Sequence, residues 1–300
     1  MAVKQLSIKK FKQNLVGWGF VLPSLVVFIL FMFLPIFLGF WYSLTDYSGL
    51  SDQYSFIGLY NYKKMFSDRY VLVSIKNNAI YAVVYSVLTM IVSLFLATLL
   101  NRLAQFRKFF RVVFFIPYIT SMVSVAIIWK MIFNPQDGPL NTILMQLGIT
   151  NPPQWLASTS WALYAIIIVS VWKSSGYYMM IFLTGLQNVP DSLYEAASLD
   201  GAGKLQKYLH ITLPLISPTI FLNMILITIS SFQVFDLISV MTDGGPGMST
   251  NVLSYRIYCE GFKKMHMGYA SSIAYFLFAI ILVITLVQFA VQKHWVNYDS

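Results

Sequence analysis

The chain has 300 residues, 58% of them hydrophobic and only 10% charged, where an ordinary soluble domain is roughly a quarter charged. A mean hydropathy of +0.68, with 24 Phe, 19 Tyr and 7 Trp, excludes a water-soluble globule and suits a chain solvated by lipid with aromatic rings at the interfaces. The net charge of +9 is scattered around apolar runs rather than gathered on one face, which argues against nucleic acid and for topology signals.

A helix needs about 20 apolar residues to cross the hydrocarbon core, and that window picks out six runs. They are residues 18–43, 79–100, 112–133, 163–183, 215–241 and 272–291. Lipid offers no partner for free backbone groups, so each is expected to be a helix, giving an all-α membrane protein with about six transmembrane helices. The first run follows Lys4, Lys9, Lys10 and Lys12 but is too long for a signal peptide and lacks a small-residue cleavage site, so it reads as a retained anchor after a cytoplasmic segment, 1–17. With the N-terminus inside, eleven Lys and Arg lie on the cytoplasmic side and seven on the outer side, in longer loops whose charges count for less. Both termini, including the tail 292–300, are therefore expected in the cytoplasm. In the first outer loop, Tyr62, Met65, Phe66 and Arg69 have the spacing of an amphipathic turn, lying on the membrane face or buried against the bundle.

Polar residues inside spans are expensive and should face a cavity or a partner. In the fourth span Ser170, Lys173, Ser174 and Tyr177 recur at three- and four-residue steps, on one helical face. In the fifth, Asn223, Ser230 and Gln233 do the same, with Ser231 adjacent and Asp236 nearer the outer end. Ser, Asn, Gln and Tyr on two neighbouring spans suit a ligand rich in hydroxyls. Serines also pack helices together, and Lys173 and Asp236 could equally be structural partners.

The cytoplasmic segment 188–214 reads as helix, break, helix. Ser192 and Glu195 have capping-box spacing after Pro190, Ala196 and Ala197 give a smooth face, Gly201 and Gly203 stop the first helix, and Leu205, Tyr208 and Leu209 stripe the second. Such a segment is either a plain connector or a small-faced helix that fits a partner's groove.

The same residues carry a resemblance. Glu195-Ala196-Ala197, three residues, Gly201, nine residues, then Ile211, Thr212, Leu213 and Pro214 match at every fixed position the signature of the inner-membrane permeases of ATP-binding-cassette importers. Phe56-Ile-Gly-Leu-Tyr-Asn-Tyr62, Phe115-Ile-Pro-Tyr118, Phe235-Asp-Leu-Ile238 and Thr242-Asp-Gly-Gly-Pro246 resemble the carbohydrate branch, of maltose and glycerol-3-phosphate type, and its first permease subunit in particular. The extra N-terminal spans and large outer domain of the maltose-type protein are missing.

The resemblance implies the type I importer permease fold in a bacterial inner membrane. It implies four kinds of partner: a second permease, two ATPase subunits that bind the ATP, an extracytoplasmic solute-binding protein, and a carbohydrate substrate. Glu195, Ala196, Ala197, Asp200 and Gly201 would form the ATPase-coupling element, although a capping role for Glu195 stays open. The sugar site would lie on the fourth and fifth spans. The chain has no phosphate loop of its own and no cofactor is expected, and Cys259 with the isolated His210, His266 and His294 offers neither redox chemistry nor a metal site. A membrane-embedded enzyme would need clustered acids or histidines, which are absent from the sequence. An ion-coupled carrier would often show paired halves, which are not evident, and a glycerol-3-phosphate importer is the nearer alternative.

Overall fold

The computed structural model describes residues 17–51, 53–102 and 106–296; the cationic segment before Gly17 and the last four residues of the expected tail lie outside them. Helix α1 (Gly17–Ser43) stands almost wholly exposed, touching the rest chiefly through the last helix of the chain. Short α2 (Tyr60–Met65) settles the question of the amphipathic turn, because Met65 is fully buried and the Tyr62 hydroxyl donates to Ser43 Oγ at 2.8 Å. Asn61 fixes this corner by donating its amide to the carbonyls of Ser43 (3.0 Å) and Thr45 (2.8 Å), at the end of α1.

Helix α3 (Arg69–Arg102) runs 34 residues, beginning well before the apolar run that announces it. Its buried stripe, Ser74, Asn77, Tyr81, Tyr85, Thr89, Ser93 and Ala97, is polar or small, while Val83, Val87, Ile91 and Phe95 face outward. This inverted amphipathicity is what a lipid solvent demands, since small residues let helices approach and apolar side chains meet the acyl chains.

The run 112–133 was expected to cross as one helix; it is two. Helices α4 (Arg107–Ile119) and α5 (Met122–Ile132) meet at 94° across an extended Thr120–Ser121 link. Pro117 removes one backbone donor near the break, and the carbonyls that the bend frees are taken up by a lysine, as described below. A short α6 (Pro139–Gln146) and a single 3₁₀ turn follow in the loop before α7.

Helix α7 (Ala162–Gln187) is the hub: sixteen of its 26 residues are buried, and its most extensive packing is against α3 and α4. Gly176 allows the second of these approaches, since a Cβ there would lie 1.8 Å from the Phe114 carbonyl oxygen. After it come α8 (Asp191–Leu199) and α9 (204–215), then a fifth apolar segment divided into α10 (Ser217–Phe232) and α11 (Asp236–Met241). Helix α12 (Leu253–Tyr258) and α13 (Met267–Gln292) complete the chain. Five segments are long and apolar enough to span a bilayer, or six if the bent pair counts as one.

At the end of the bundle away from α8, the ends of α3, α12 and α13 are tied by an ionic knot around buried Arg256 and Glu260. Arg256 binds Glu260 and lies 3.8 Å from Asp68, Lys264 and His266 reach Glu260 at 2.9 and 3.0 Å, and the Tyr269 hydroxyl donates to Asp68 at 2.9 Å.

Candidate functional site

A cavity of about 270 Å³ opens among α3, α7, the α4–α5 bend and the α10–α11 junction. The physical reason lies in the sequence of α7, where Ser170, Ser174 and Tyr178 follow one another at four-residue steps and so share a face. Opposite them stand Tyr81 and Tyr85 of α3, stacked with ring centroids 5.4 Å apart. Ser230, Gln233 and Asp236 close the wall from the α10–α11 side, where α10 stops at Phe232 and the backbone turns.

Six hydroxyl protons of this wall can be followed one by one; the Tyr118 hydroxyl and the Gln233 amide, also on the lining, keep their donors among the described residues. Ser170 donates to the Ile166 carbonyl (2.8 Å) and accepts from Tyr81 (2.7 Å); Ser174 donates to the Ser170 carbonyl (2.7 Å) and accepts from Tyr85 (2.9 Å). Ser230 gives its proton to the Ile227 carbonyl (2.9 Å), so the Tyr178 hydroxyl at 3.0 Å must be the donor to it. Three tyrosines and three serines thus spend their protons on the protein. What they still offer a ligand is lone pairs and aromatic faces.

Lys173 lines the same cavity with its charge already engaged. Its ammonium donates to the carbonyls of Pro117 (2.8 Å), Tyr118 (3.0 Å) and Thr120 (2.6 Å), which accounts for all three of its donors. A cation at the C-terminal end of α4 also complements that helix's dipole. The lysine is therefore the clamp that holds the 94° bend, with its three donors engaged by the protein.

Of the nine residues singled out on the spans, the structure brings Ser170, Lys173, Ser174, Ser230, Gln233 and Asp236 to the cavity. Three fall elsewhere. Tyr177 is one residue out of phase with the four-step row and stacks instead on Tyr118, with centroids 4.5 Å apart, behind the wall. Ser231 is fully buried and donates to the Thr228 carbonyl at 2.6 Å. Asn223, with 0% exposure, sits away from the cavity and finds no hydrogen-bond partner for either end of its amide among the described residues. Tyr81, Tyr85 and Tyr178 were missed, though Tyr81 and Tyr85 at i and i+4 in an apolar run do signal hydroxyls that need a common polar neighbour.

At the other end, α8 and α9 form an exposed helix-turn-helix. The expected capping box is not made: α8 starts at Asp191, directly after Pro190 and two residues before a Ser192 cap would place it, and no side chain caps it, so Glu195 is free of that role and points to solvent. The helix ends in a Schellman turn, with Ala202 N–H bonded to Ala197 O (2.9 Å) and Gly201 N–H to Ser198 O (3.1 Å) around Gly201 at φ +78°. The Tyr194 hydroxyl meets Thr212 Oγ1 at 2.8 Å, and Lys207 donates to Ser198 Oγ, tying the two helices together. No described residue covers the Ala196 face, and Leu199 is 90% exposed.

Lipid-length helices around a polar, half-open cavity, with an uncovered helix-turn-helix at one end, define a membrane transport subunit. The family described as binding-protein-dependent transport system inner membrane component matches residues 89–296. YurN of Bacillus subtilis, a probable ABC transporter permease protein, is 38% identical over 92% of this chain and 96% of its own length. The sn-glycerol-3-phosphate permease UgpA of Pectobacterium atrosepticum is 31% identical over 96% of this chain and 98% of its own. A chain in the crystal structure of a bacterial ABC transporter that imports the acidic polysaccharide alginate has the same fold, with TM-score 0.85 and 23% identity over 96% of this chain and 99% of that one. The chain belongs to the family of binding-protein-dependent inner-membrane transport components, the multi-pass permeases of ATP-binding-cassette transporters.

Proposed function

We propose that this subunit forms, with a second permease, the inward pathway for an uncharged saccharide delivered by an extracytoplasmic binding protein. Two ATPase subunits drive it from the cytoplasmic face and bind the nucleotide, so the chain itself is not an enzyme. Both termini then lie in the cytoplasm, on the side of α8. Glu195, Ala196, Ala197, Asp200 and Gly201 are the surface that meets the ATPase, the alanines allowing close approach and Glu195 offering an uncommitted carboxylate.

The observation that carries the substrate class is the proton accounting of the cavity. Six hydroxyl oxygens with their protons spent, beside the free donors of Tyr118 and Gln233 and flanked by tyrosine faces, suit a ligand that brings many hydroxyls, each both donor and acceptor, which is what a sugar does. A phosphate or a uronate needs a free cation, and Lys173 has none of its donors left. The relatedness to UgpA favours glycerol-3-phosphate as a second reading.

The test is uptake in cells expressing the chain together with a second permease, an ATPase and a solute-binding protein of its system, supplied in turn with labelled neutral oligosaccharides and glycerol-3-phosphate. A neutral sugar should be taken up, and Tyr85→Ala should reduce that uptake at least tenfold while the ATPase stays bound. Uptake of glycerol-3-phosphate alone would reject the reading.

A further inference from the structure

We propose that the groove between the last three turns of α3 and the start of α9 binds one anionic phospholipid, its phosphate held by Arg102 and Lys204. The groove encloses about 610 Å³. Ile91, Phe95 and Leu99 form one wall at four-residue steps, Leu205 forms part of the other, and the two cations stand at its end. Phe95 is 65% and Leu205 69% exposed, so the apolar walls are open to whatever surrounds the protein.

Length, depth and charge together select the occupant. Ile91 to Arg102 covers eleven helical steps, about 16 Å, roughly half of the 30 Å hydrocarbon core and so about one leaflet. An acyl chain laid along Phe95 therefore puts its headgroup phosphate at Arg102. Among the described residues neither Arg102 nor Lys204 forms an ion pair, so both charges await an anion. An adjoining cavity of about 360 Å³ shares both residues and adds Lys207, extending the positive field over the headgroup. Basic pockets between helices at the cytoplasmic side suit anionic headgroups in general. A purely apolar helix from a second permease would fill the walls and leave the two cations unanswered.

Because Lys204 and Leu205 open α9, a lipid seated here would bridge α3 to the segment that carries the exposed Ala196 face. The inference rests on the proposed orientation only for the leaflet that supplies the lipid.

The experiment is native mass spectrometry of the full chain in detergent, titrated separately with phosphatidylglycerol and phosphatidylcholine. Wild type should retain one phosphatidylglycerol in preference to phosphatidylcholine. At roughly fivefold per cation, Arg102→Gln with Lys204→Gln should weaken phosphatidylglycerol about 25-fold and leave phosphatidylcholine unchanged. Lys204→Arg should bind as wild type, and Leu99→Trp, which fills the groove, should weaken both lipids. Both cationic side chains are exposed, so retained helicity of the double variant separates lost binding from lost fold. Equal retention of the two lipids, unchanged phosphatidylglycerol binding by the double variant, or equally good competition by soluble glycerophosphoglycerol would overturn the proposal. So would complete displacement of the lipid by a copurified second permease. If fusions placed this end outside, the lipid preference would persist and the orientation alone would fail.

Discussion

Replacing Lys173 by methionine keeps the length of the side chain and removes the clamp on the bend. Three hydrogen bonds from a charged donor, each contributing about 1.5–3 kcal/mol, amount to roughly 5–9 kcal/mol that disappears. Against this, the substitution relieves the insertion penalty of a lysine at membrane depth, about 3 kcal/mol. The net loss is then about 2–6 kcal/mol, concentrated where α4 meets α5 rather than spread over the bundle. Reversible unfolding in mixed micelles of increasing SDS content should read a loss in that range. A single cysteine at position 120, in a Cys259→Ser background, should become more reactive to a membrane-impermeant thiol reagent as the link opens. Lys173→Arg, which keeps the charge and the donors, should recover more than half of the loss. An unfolding midpoint within about 0.5 kcal/mol of wild type, with unchanged labelling at position 120, would refute the idea that the lysine holds the bend.

Gly201→Val forces a branched side chain to φ +78°, at a cost of about 1–2 kcal/mol, and should unravel the end of α8; transport should fall while membrane insertion is normal, as read by uptake and by protease protection. Asn61→Ala strands two buried carbonyls at the end of α1 and should destabilise that corner by about 1–3 kcal/mol, seen as faster hydrogen exchange at residues 43–47. In the segment between α11 and α13, hydrogen bonds from Tyr255 and Lys263 lower the Asp243 carboxyl below its ordinary 3.8. Burial by itself would raise Glu260, but bonds from Lys264 and His266 and the Arg256 charge hold it below 4.5. For both acids the folded value is the lower one, so their stabilisation is present above about pH 4–4.5 and is lost as pH falls through the folded values. Hydrogen exchange across residues 242–266 should be flat from pH 7 to about 5, after correction for intrinsic rates, and should rise below about 4; Glu260→Gln should show the faster exchange at every pH.

The apolar runs announced the spans because lipid leaves a chain few other solutions, and the EAA-type spacing announced the family. What the runs hide is direction within a helix. Ser170 and Ser174 were legible as cavity residues, yet extending their face by three residues rather than four selected Tyr177 over Tyr178, and that single step decides which ring meets the cavity. Hydropathy is equally blind to the bend at Thr120, since both halves of 112–133 are apolar, and Pro117 alone more often kinks a helix than breaks it. The partner that makes the bend possible is Lys173, more than fifty residues away, and no local pattern pairs a lysine with three distant carbonyls. The capping box at Ser192 failed for a simpler reason: the N-cap position falls on Pro190, two residues sooner, so Ser192 already lies inside the first turn.

The helix-turn-helix of α8 and α9 can also be considered as a machine part. Tyr194, Ile211, Leu213 and Leu215 pack into the cluster built by Leu183, Leu186 and Ile216, while Tyr194–Thr212 and the Schellman turn lock the joint between its two arms. A crank braced at elbow and axle has little compliance. A push of a few ångströms on the Ala196 face would therefore reach the foot of α10 as displacement and torque, with little of the stroke absorbed in bending. Softening the elbow, as in Tyr194→Phe, should leave the push in place and shorten the stroke.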